Sequence, residues 1–579
     1  MSALADPFDV RRALGAAGLL RAFNDIGVLS AADVHVAARL AELVAEQSES
    51  VKLAVALAVR GPRLGHVLVD LATIRETANV ESDEPVDLSE LPWPAIGEWL
   101  GALEGSELIA VGEDNAGAAE ARPLRLLGTR LYLDRYWREE RSVAADLNEM
   151  IESSRLEVIA GGPGTGKTTR VARIVAELID ESTDAGARPP LVALAAPTGK
   201  AAARLQEAVH EEAARMPVSE SVRELLMGLR ASTLHRLLGW RPRSHSRFAH
   251  DRGNRLPHDV VIVDETSMVS LSLMARLAEA VRTDARLILL GDPGQLTSIE
   301  AGVVLADIVG PGVGHGIVVL ERVYRYGGGI AKLADAIRHG DADATVAALR
   351  AAPSEITWLP MDVHETDAGI EVVRERAIAA GLEVASAARE GAALEALAAL
   401  GRFRLLCAHR RGPYGVTDWT SRVQAWLAGS VADIEQRDFV GRPLLVTEND
   451  YELGLYNGDT GVIVDGAGER PAAAFERAGE VLRFSPLRLR AVDTVYAMTI
   501  HKSQGSQFDT AAVLLPPGSS RILTRELLYT AVTRARRELI LVGTEDVVRR
   551  AVEHPVARAS GLRERLWGRA TPQARPRRP

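Results

Sequence analysis

The sequence predicts an α/β protein with two parallel-sheet cores, a helical N-terminal domain and a small β-barrel inserted into the second core. Three observations support this prediction. Short runs rich in β-branched residues and leucine alternate with helical patterns from about residue 150 onward, as expected for parallel strands joined by helices. A glycine-rich loop follows the first of these runs. The first 120 residues are rich in alanine and leucine at helical spacing and contain no such loop.

Length and composition indicate a multidomain globular protein. The 579 residues are enough for three or four domains of about 150 residues each. The chain is 47% hydrophobic and 25% charged, which is an ordinary globular balance. It contains no uninterrupted apolar run of about 18 residues and no basic leader followed by an apolar segment. We therefore expect a cytoplasmic protein that is neither secreted nor inserted in a membrane.

The charges are segregated along the chain. The net charge of −10 argues against a protein that coats nucleic acid over its whole surface, but it permits a local basic track. Residues 81–120 contain eleven acidic and no Lys or Arg residues, whereas residues 230–255 contain seven Arg, three His and one acidic residue. The basic stretch is compatible with a nucleic-acid contact or with a solvated face, and the acidic stretch with a linker or a partner surface.

We expect residues 1–120 to form the helical domain and to bind a partner instead of a nucleotide. Residues 121–335 form the first core, in which the apolar runs LEVIA, LVALAAP, DVVIVDE and RLILLGD are the expected strands. Residues 336–579 form the second core, with strands expected at RLLCAHR, TAAVLLP and ELILVGT. Residues 438–490 interrupt it with short β segments around Asn457-Gly458, a strong hairpin signal, and predict the inserted barrel.

The glycine-rich loop has the full pattern of a phosphate-binding P-loop. It reads GGPGTGKTT directly after an apolar run and directly before a helical pattern. Glycines let backbone N–H groups approach a triphosphate, Lys167 supplies a compact positive charge, and the Thr168 hydroxyl is suited to bind Mg²⁺. The predicted nucleotide-binding residues are Gly161, Gly162, Pro163, Gly164, Thr165, Gly166, Lys167, Thr168 and Thr169.

Carboxylates and an amide follow the next strands of the same core. Asp264 and Glu265 end the run DVVIVDE. We expect Asp264 to contribute to the Mg²⁺ site and Glu265 to act as the general base. Gln295 follows the run RLILLGD, where its amide is placed to orient the attacking water or contact the γ-phosphate.

Two arginines are further candidates for completing the site. Phosphoryl transfer builds negative charge on the transferred group, and arginines from a second domain stabilise that charge when the cleft closes. Arg325 lies in VYRYGGG, and Arg534 lies in LLYTAVTRARREL, where we expect it to begin a helix of the second core.

An ordered series of fragments resembles the motif set of superfamily-one helicases. The series comprises GGPGTGKTT, APTGKAAARL, STLHRLLG, VIVDETSMV, GDPGQLTSIEAG, VYRY, YAMTIHKSQGSQFD and LLYTAVTRARREL. Further fragments are similar to the RecD family, the α subunits of RecBCD helicase-nucleases (exodeoxyribonuclease V). They are HVLVDLA, RLYLDRYWREE, HRRGPYGVTDWT and NDYELGLYNGDTG. The resemblance extends over essentially the whole chain.

The resemblance implies two RecA-like domains that bind ATP and Mg²⁺ between them and move 5′ to 3′ along DNA. It places Gly505 in a motif that couples the nucleotide to DNA. It also implies partners, namely single-stranded and duplex-end DNA together with RecB-like and RecC-like subunits of a heterotrimer. The residues that match the family's contacts to single-stranded DNA are Thr198, Lys200, Arg204, Thr233 and His235.

Three departures from the family pattern stand out. No glutamine precedes the P-loop at the place where the family reads the adenine ring. Gln507 replaces a carboxylate in GSQFD, which predicts weaker ribose contact or coupling. Pro293 and Gly294 stand where charged residues are usual, although Gln295 is kept.

Two alternative functions stay open at the level of sequence. One is a free-standing 5′–3′ helicase, which differs in its partners and not in its chemistry. The other is a non-motor subunit whose nucleotide site only stabilises assembly, and its signature would be the loss of the carboxylates or arginines described above. Both carboxylates, Asp264 and Glu265, and both arginines are present.

Overall fold

In the computed structural model, the described residues form four sheets, of which two are entirely parallel and face each other across a polar cleft. Among the described residues, no helix is both long and apolar enough to cross a bilayer. The described residues are 9–78, 80, 88–113, 122–241, 248–310, 316–320, 328–351, 354–363, 369–450, 452–466, 469–477 and 480–568.

The N-terminal domain combines five helices with a small sheet. Local sequence fixes two helix starts, because Ser30 and Ser48 adopt extended conformations at N-caps and Ser48 accepts a hydrogen bond from the Val51 N–H. The helices are α1 (Gly18–Asp25), α2 (Ala31–Leu43), α3 (Glu49–Arg63), α4 (Ile74–Thr77) and α5 (Ile96–Glu104). The strands are β1 (Leu68–Asp70), β2 (Ile109–Val111), β3 (Leu124–Leu127) and β4 (Arg130–Leu133), in the order β1-β4-β3-β2.

The sheet extends this domain beyond the predicted boundary at residue 120. The expected helices are present, but β3 and β4 follow residue 120 and pair with β2 and β1, so the domain continues to Leu133. Strands of three or four residues are too short to show the alternation of period two by which a strand is recognised in a sequence. The helical periodicity of the surrounding residues is therefore the stronger signal in the sequence, and it predicts a domain made of helices alone.

The first core has a six-stranded parallel sheet in the order β10-β5-β9-β8-β6-β7. The four predicted apolar runs form its central strands β5, β6, β8 and β9, which confirms the prediction. Its elements are α6 (Asp134–Glu152), β5 (Leu156–Gly161), α7 (Lys167–Asp184), β6 (Val192–Ala196), α8 (Gly199–Arg215), α9 (Glu220–Gly228), β7 (Ala231–Thr233), α10 (Leu234–Leu237), β8 (Val260–Val263), α11 (Leu271–Ala280), β9 (Arg286–Gly291), α12 (Val304–Val309) and β10 (Ile317–Leu320).

The second core has a five-stranded parallel sheet in the order β11-β20-β19-β12-β18. Its elements and those of the insert are α13 (Gly328–His339), α14 (Ala342–Arg350), β11 (Ile356–Leu359), α15 (Glu371–Arg389), α16 (Ala393–Arg402), β12 (Phe403–Cys407), α17 (Val416–Leu427), β13 (Pro443–Val446), β14 (Thr460–Gly466), β15 (Glu469–Arg477), β16 (Glu480–Phe484), β17 (Val492–Thr494), β18 (Ala497–Thr499), β19 (Phe508–Leu514), α18 (Arg525–Val532), β20 (Ala535–Val542), α19 (Glu545–Glu553) and α20 (Leu562–Trp567).

The insert is an antiparallel sheet in the order β16-β15-β14-β13-β17. The predicted hairpin signal lies between β13 and β14, where Gly458 adopts a φ of +98° that glycine tolerates without strain. The outermost strands β16 and β17 do not pair with each other among the described residues. The insertion and its antiparallel character are as predicted, but the strand pairs among the described residues of the insert form an open sheet in place of the predicted barrel.

Residues 556–568, which we call the C-terminal strap, run from the second core back across the first core to the N-terminal domain. The Val556 N–H donates to the Glu526 carboxylate at the start of α18, at 2.8 Å. The Ala559 N–H donates to His66 Nδ1 in the N-terminal domain, at 3.0 Å. The strap therefore contacts all three parts of the chain.

A buried carboxylate on α6 holds the strap in place. Glu140 is fully buried, and it accepts hydrogen bonds from Arg565 Nε at 3.0 Å and from the Gly561 N–H at 2.8 Å. Burial raises the pKa of Glu140, while the Gly561 and Arg565 donors oppose that rise. A Cβ at position 561 would lie 2.6 Å from both the Glu140 carboxylate and the Tyr132 hydroxyl, so any other residue there would displace one of these two groups.

Replacing this carboxylate should release the strap. We expect Glu140→Ala to lower the free energy of local strap opening by about 3 kcal/mol, because it leaves the Arg565 guanidinium and the Gly561 N–H without their buried acceptor. The measurement is amide hydrogen exchange over residues 557–566. Glu149→Ala on the same helix removes an exposed carboxylate paired with Arg155 and should change exchange there by less than about 0.5 kcal/mol. Equal protection in the two variants would contradict the role of Glu140.

Candidate functional site

The phosphate loop connects β5 to α7 in the form the sequence predicts. Gly164 and Gly166 have φ values of +79° and +84°, a region where glycine is favoured. Lys167 Nζ donates to the carbonyl oxygens of Gly161 at 2.5 Å and Gly162 at 2.9 Å. The ammonium group therefore lies within the loop, where it can exchange these carbonyls for phosphate oxygens.

The remaining residues of the loop complete the wall of a cleft of about 720 Å³. Thr165 is buried, and its hydroxyl donates to the Gly162 carbonyl at 2.9 Å, which fixes the curvature of the loop. Pro163, Thr168 and Thr169 line the cleft together with Gly164, Gly166 and Lys167. The predicted set is thus contiguous, with Gly161, Gly162 and Thr165 forming its buried base.

The carboxylate pair follows β8 and faces the same cleft. The Glu265 N–H donates to Asp264 Oδ1 at 2.8 Å, and Glu265 has a φ of +52°, which turns the chain sharply after the strand. Burial raises the pKa of Asp264 to about 6, the Glu265 charge adds to the rise, and the Lys167 charge opposes it. Two adjacent carboxylates beside a lysine are disposed to receive a cation.

The residues present fit a Mg²⁺ ion held largely by phosphate oxygens and water. Hard divalent cations of this kind need only one or two protein oxygens when a polyphosphate supplies the others. Thr168 and Asp264 line one cleft and supply a hydroxyl and a carboxylate. Within the described part of the chain, no group of three or more His, Cys, Asp or Glu side chains could form a self-sufficient metal cage.

Arg534 and Gln295 meet across the boundary between the two cores. Arg534 is 2% exposed, and its Nη2 donates to Gln295 Oε1 at 3.3 Å. Its Nε and Nη1 donate to the carbonyl oxygens of Thr530 at 3.0 Å and Ser506 at 3.1 Å. Gln295 Nε2 donates to Asp292 Oδ2 at 3.0 Å, which orients the amide. The two predicted residues are therefore brought together.

The local setting of Arg534 differs from the prediction. We expected it to begin a helix, but it follows the end of α18 and directly precedes β20. The run of leucine, tyrosine and alanine before it forms the helix, and the alternating residues after it form a strand. The other predicted arginine, Arg325, lies outside the described residues.

The candidate DNA contacts lie at the carboxyl ends of two neighbouring strands. Thr198 follows β6 and Thr233 ends β7, which pair in parallel. Their hydroxyls accept hydrogen bonds from the N–H groups of Ala201 and Arg236, both at 3.2 Å, so each threonine also caps a helix. His235 is exposed on α10, two residues after the Thr233 cap. These three residues share one edge of the first core.

Lys200 lies close to this edge but faces the insert. It is half-buried, and a Cβ on the preceding Gly199 would lie 2.9 Å from the Cβ of Tyr456 in the insert. Burial lowers the pKa of Lys200 to about 7, the charge of Arg204 adds to the lowering, and Asp459 of the insert opposes it. The lysine therefore lies where the first core meets the insert.

The structure places Arg204 in the nucleotide cleft and not beside the two threonines. It lines the cleft and donates a hydrogen bond to the Gly505 carbonyl of the second core. Burial lowers the pKa of Arg204 to about 10, and the charges of Arg536 and Arg534 add to the lowering. The sequence motif does not show that Arg204 faces the nucleotide cleft while Thr198 lies at the candidate DNA-contacting edge. Gly505 itself has a φ of +70°, as a turn glycine.

Sequence reasoning missed three residues at the boundary between the cores. A Cβ on Gly162 would lie 2.8 Å from the Tyr529 hydroxyl, so this side chain of α18 abuts the phosphate loop. Thr530 Oγ1 accepts from the Leu296 N–H at 2.8 Å, and Gln504 Nε2 donates to the Leu296 carbonyl at 2.7 Å. All three lie in fragments already singled out, but nothing in the sequence shows which of their side chains cross to the first core.

Family models match three separate segments of the chain. The RecBCD enzyme subunit RecD, N-terminal domain, matches residues 25–132, an AAA domain matches residues 144–358, and the UvrD-like helicase C-terminal domain matches residues 494–542. Among solved structures, Bacteroides Pif1 bound to ssDNA covers 70% of this chain and 91% of that chain at 15% identity and a TM-score of 0.37.

Two curated relatives match almost end to end. The RecBCD enzyme subunit RecD of Mycolicibacterium smegmatis is 49% identical over 579 residues, which cover 95% of this chain and 99% of the relative. The protein of the same description from Mycobacterium tuberculosis is 48% identical over 96% of this chain and 98% of the relative. The resemblance found in the motifs is confirmed, and the chain belongs to the RecD family of RecBCD enzyme subunits.

Proposed function

We propose that this chain is the ATP-dependent 5′–3′ DNA helicase subunit of a RecBCD-type helicase-nuclease that acts on double-strand DNA ends in recombinational repair. The observation that carries the proposal is the hydrogen bond at 3.3 Å between Arg534 of the second core and Gln295 of the first. It joins the two cores at the cleft that Lys167 and Glu265 also line. One bound nucleotide can therefore contact both cores, which is what a motor driven by cleft closure requires.

The residues that line the cleft have separate roles in ATP hydrolysis. Lys167 and the loop N–H groups hold the phosphates, and Gln295 orients the attacking water while Glu265 accepts its proton. Thr168 and Asp264 would hold Mg²⁺, which when bound neutralises charge on the phosphate oxygens. Each role follows from a side chain that lines the same cleft.

The positive charges of the cleft favour a polyphosphate. The pKa of Arg204 is lowered by burial and by the charges of Arg536 and Arg534, so cations are crowded together. Such crowding is unfavourable unless an anion compensates it, and a triphosphate supplies that anion. Arg534 is placed to stabilise the charge that develops on the transferred phosphoryl group.

We propose that closure and reopening of the cleft move the two cores along one DNA strand. Thr198, Thr233 and His235 lie at the edge of the first core and have the short polar side chains that suit contacts with sugar and phosphate. Binding through the backbone of DNA carries no sequence information, as a translocating protein requires. Thr233 and His235 belong to the basic stretch of residues 230–255.

The partner assignments rest on family membership and on the N-terminal domain. The relatives are described as subunits of a RecBCD enzyme. We propose that RecB-like and RecC-like chains complete the assembly and that the N-terminal domain docks on the RecC-like subunit. A free-standing 5′–3′ helicase is the rival, and purification of the chain alone tests it, because a stable monomer that unwinds forked duplexes would favour the rival.

Loss of the P-loop lysine tests the nucleotide chemistry. We expect Lys167→Gln to lower the kcat of DNA-stimulated ATP hydrolysis by at least about 100-fold, because a preorganised positive charge on the phosphates is lost. Assembly with the partner subunits should persist. The control is Lys332→Gln, which changes an exposed lysine of α13 and should leave hydrolysis unaltered. Unchanged turnover in the P-loop variant would contradict the assigned mechanism.

A second variant tests the contribution of the second core. We expect Arg534→Ala to reduce kcat by about 1000-fold or more while the chain still binds an ATP analogue, since the arginine acts mainly on charge that develops during the reaction. Steady-state kinetics and equilibrium nucleotide binding separate the two effects. Arg376→Ala, which removes an exposed arginine paired with Glu538, serves as the control in the same core. A change in nucleotide affinity alone would argue against a role of Arg534 in hydrolysis.

A further inference from the structure

Two arginines, one from each core, donate hydrogen bonds to consecutive backbone carbonyl groups in one turn of the second core. Arg204, on α8 of the first core, donates to the Gly505 carbonyl. Arg534, in the second core, donates to the adjacent Ser506 carbonyl at 3.1 Å. The turn follows the 3-10 turn His501–Ser503 and precedes β19. Its backbone is therefore fixed from both sides of the cleft.

The contact with α8 is more than a single hydrogen bond. A Cβ added to Gly505 would lie 3.8 Å from the Cβ of Ala201, so the turn rests on the helix. Ala201, Arg204, Leu205 and Ala208 all line the cleft, and their spacing of three and four residues places them on one face of α8. The turn is thus seated on a continuous helical face.

The same helix carries candidate DNA contacts at its N-terminus. Thr198 caps α8, and Lys200 precedes Arg204 by four residues, which is one helical turn or about 6 Å along the axis. A helix transmits displacement at one end to the other because its hydrogen bonds make it stiff over such short lengths. The nucleotide cleft and the candidate DNA-contacting edge are therefore joined by one rigid element.

One polar group of this turn lacks a hydrogen-bond partner among the described residues. The Ser506 hydroxyl is buried and has no hydrogen-bond partner within the described part of the chain. A buried hydroxyl without a hydrogen bond is energetically unfavourable. A different conformation of the turn, in which this hydroxyl makes a hydrogen bond, would therefore be stabilised by that bond. Arg534, which holds the Ser506 carbonyl, is also the arginine expected to reach the γ-phosphate.

From this geometry we propose that Arg204 is a positioning residue that couples the two ligands. It holds the turn at Gly505 against α8, so that the nucleotide-dependent movement of Arg534 is transmitted to Lys200, one helical turn away, and to Thr198 at the start of the helix. This inference rests on the proposed function, and it assigns to Arg204 a role in coupling in place of direct contact with DNA.

The test measures coupling and not activity alone. The full chain is titrated with a single-stranded oligothymidylate, with and without a non-hydrolysable ATP analogue and Mg²⁺, and the ratio of the two DNA dissociation constants is the coupling factor. In the unsubstituted chain we expect a factor of about 5 or more. Arg204→Ala should bring the factor to within about twofold of one, and Arg204→Lys should restore part of it because the ammonium can still donate to the carbonyl.

The matched control is Arg173→Ala, which removes an exposed arginine of α7 that pairs with Glu212 but does not itself line the cleft, and it should preserve the coupling factor. An unaltered factor in both Arg204 variants would overturn the inference. Equal losses in the alanine and control variants would also overturn it, because the effect would then not be specific to the turn. If Arg204→Ala does not fold, the coupling factors of Arg204→Lys and of the Arg173→Ala control decide whether the inference holds.

Failure of the proposed function gives a different result. In that case the unsubstituted chain, alone or assembled with its partner subunits, would hydrolyse ATP at the same rate with and without DNA. If the unsubstituted chain is stimulated by DNA and the Arg204 variants are stimulated equally, only the inference about Arg204 fails.

Discussion

The buried guanidinium of Arg534 is the interaction on which the arrangement of the two cores depends. An arginine cannot lose its charge in a protein, so at 2% exposure it must find acceptors for its donors. The structure supplies the carbonyls of Thr530 and Ser506, the Thr533 hydroxyl and the amide oxygen of Gln295. Only the last of these belongs to the first core. The charge is thus satisfied mainly within the second core. Among the described residues, the one hydrogen bond of Arg534 to the first core goes to a neutral acceptor that a phosphate can outcompete.

The cleft and its central strands were predictable from sequence because each depends on local rules. A P-loop requires glycine at Gly164 and Gly166, where φ is positive, and the strand β8 must end before Asp264 can turn into the cleft. These constraints appear as short fixed patterns. The contacts of Arg204 and Tyr529 with the opposite core were not predictable, because they depend on how two sheets distant in sequence approach each other, and no local pattern records that approach.

The small strands and the C-terminal strap illustrate the same limit. The strands β1–β4 have only three or four residues each, and a sheet of that size is stabilised by its packing against α3 and α6 more than by strand propensity. The strap closes against Glu140 from more than 400 residues away in sequence. Loop closure over such a distance costs conformational entropy, which a buried charged network and the packing of Leu562 and Leu566 into the first core offset.

The position of the strap links the N-terminal domain to the nucleotide cleft. The first residue of the strap, Val556, is hydrogen-bonded to Glu526 in the first turn of α18. Later residues of this helix, Tyr529 and Thr530, contact the first core. The middle of the strap is bonded to His66 of the N-terminal domain. The strap therefore connects the N-terminal domain, through Glu526, to the helix that leads to Arg534. Because the only hydrogen bond of Arg534 to the first core among the described residues is the long one to Gln295, a small displacement of α18 is enough to break it. The domain proposed to dock on a partner subunit is thus mechanically connected to the arginine proposed to act on the phosphoryl group.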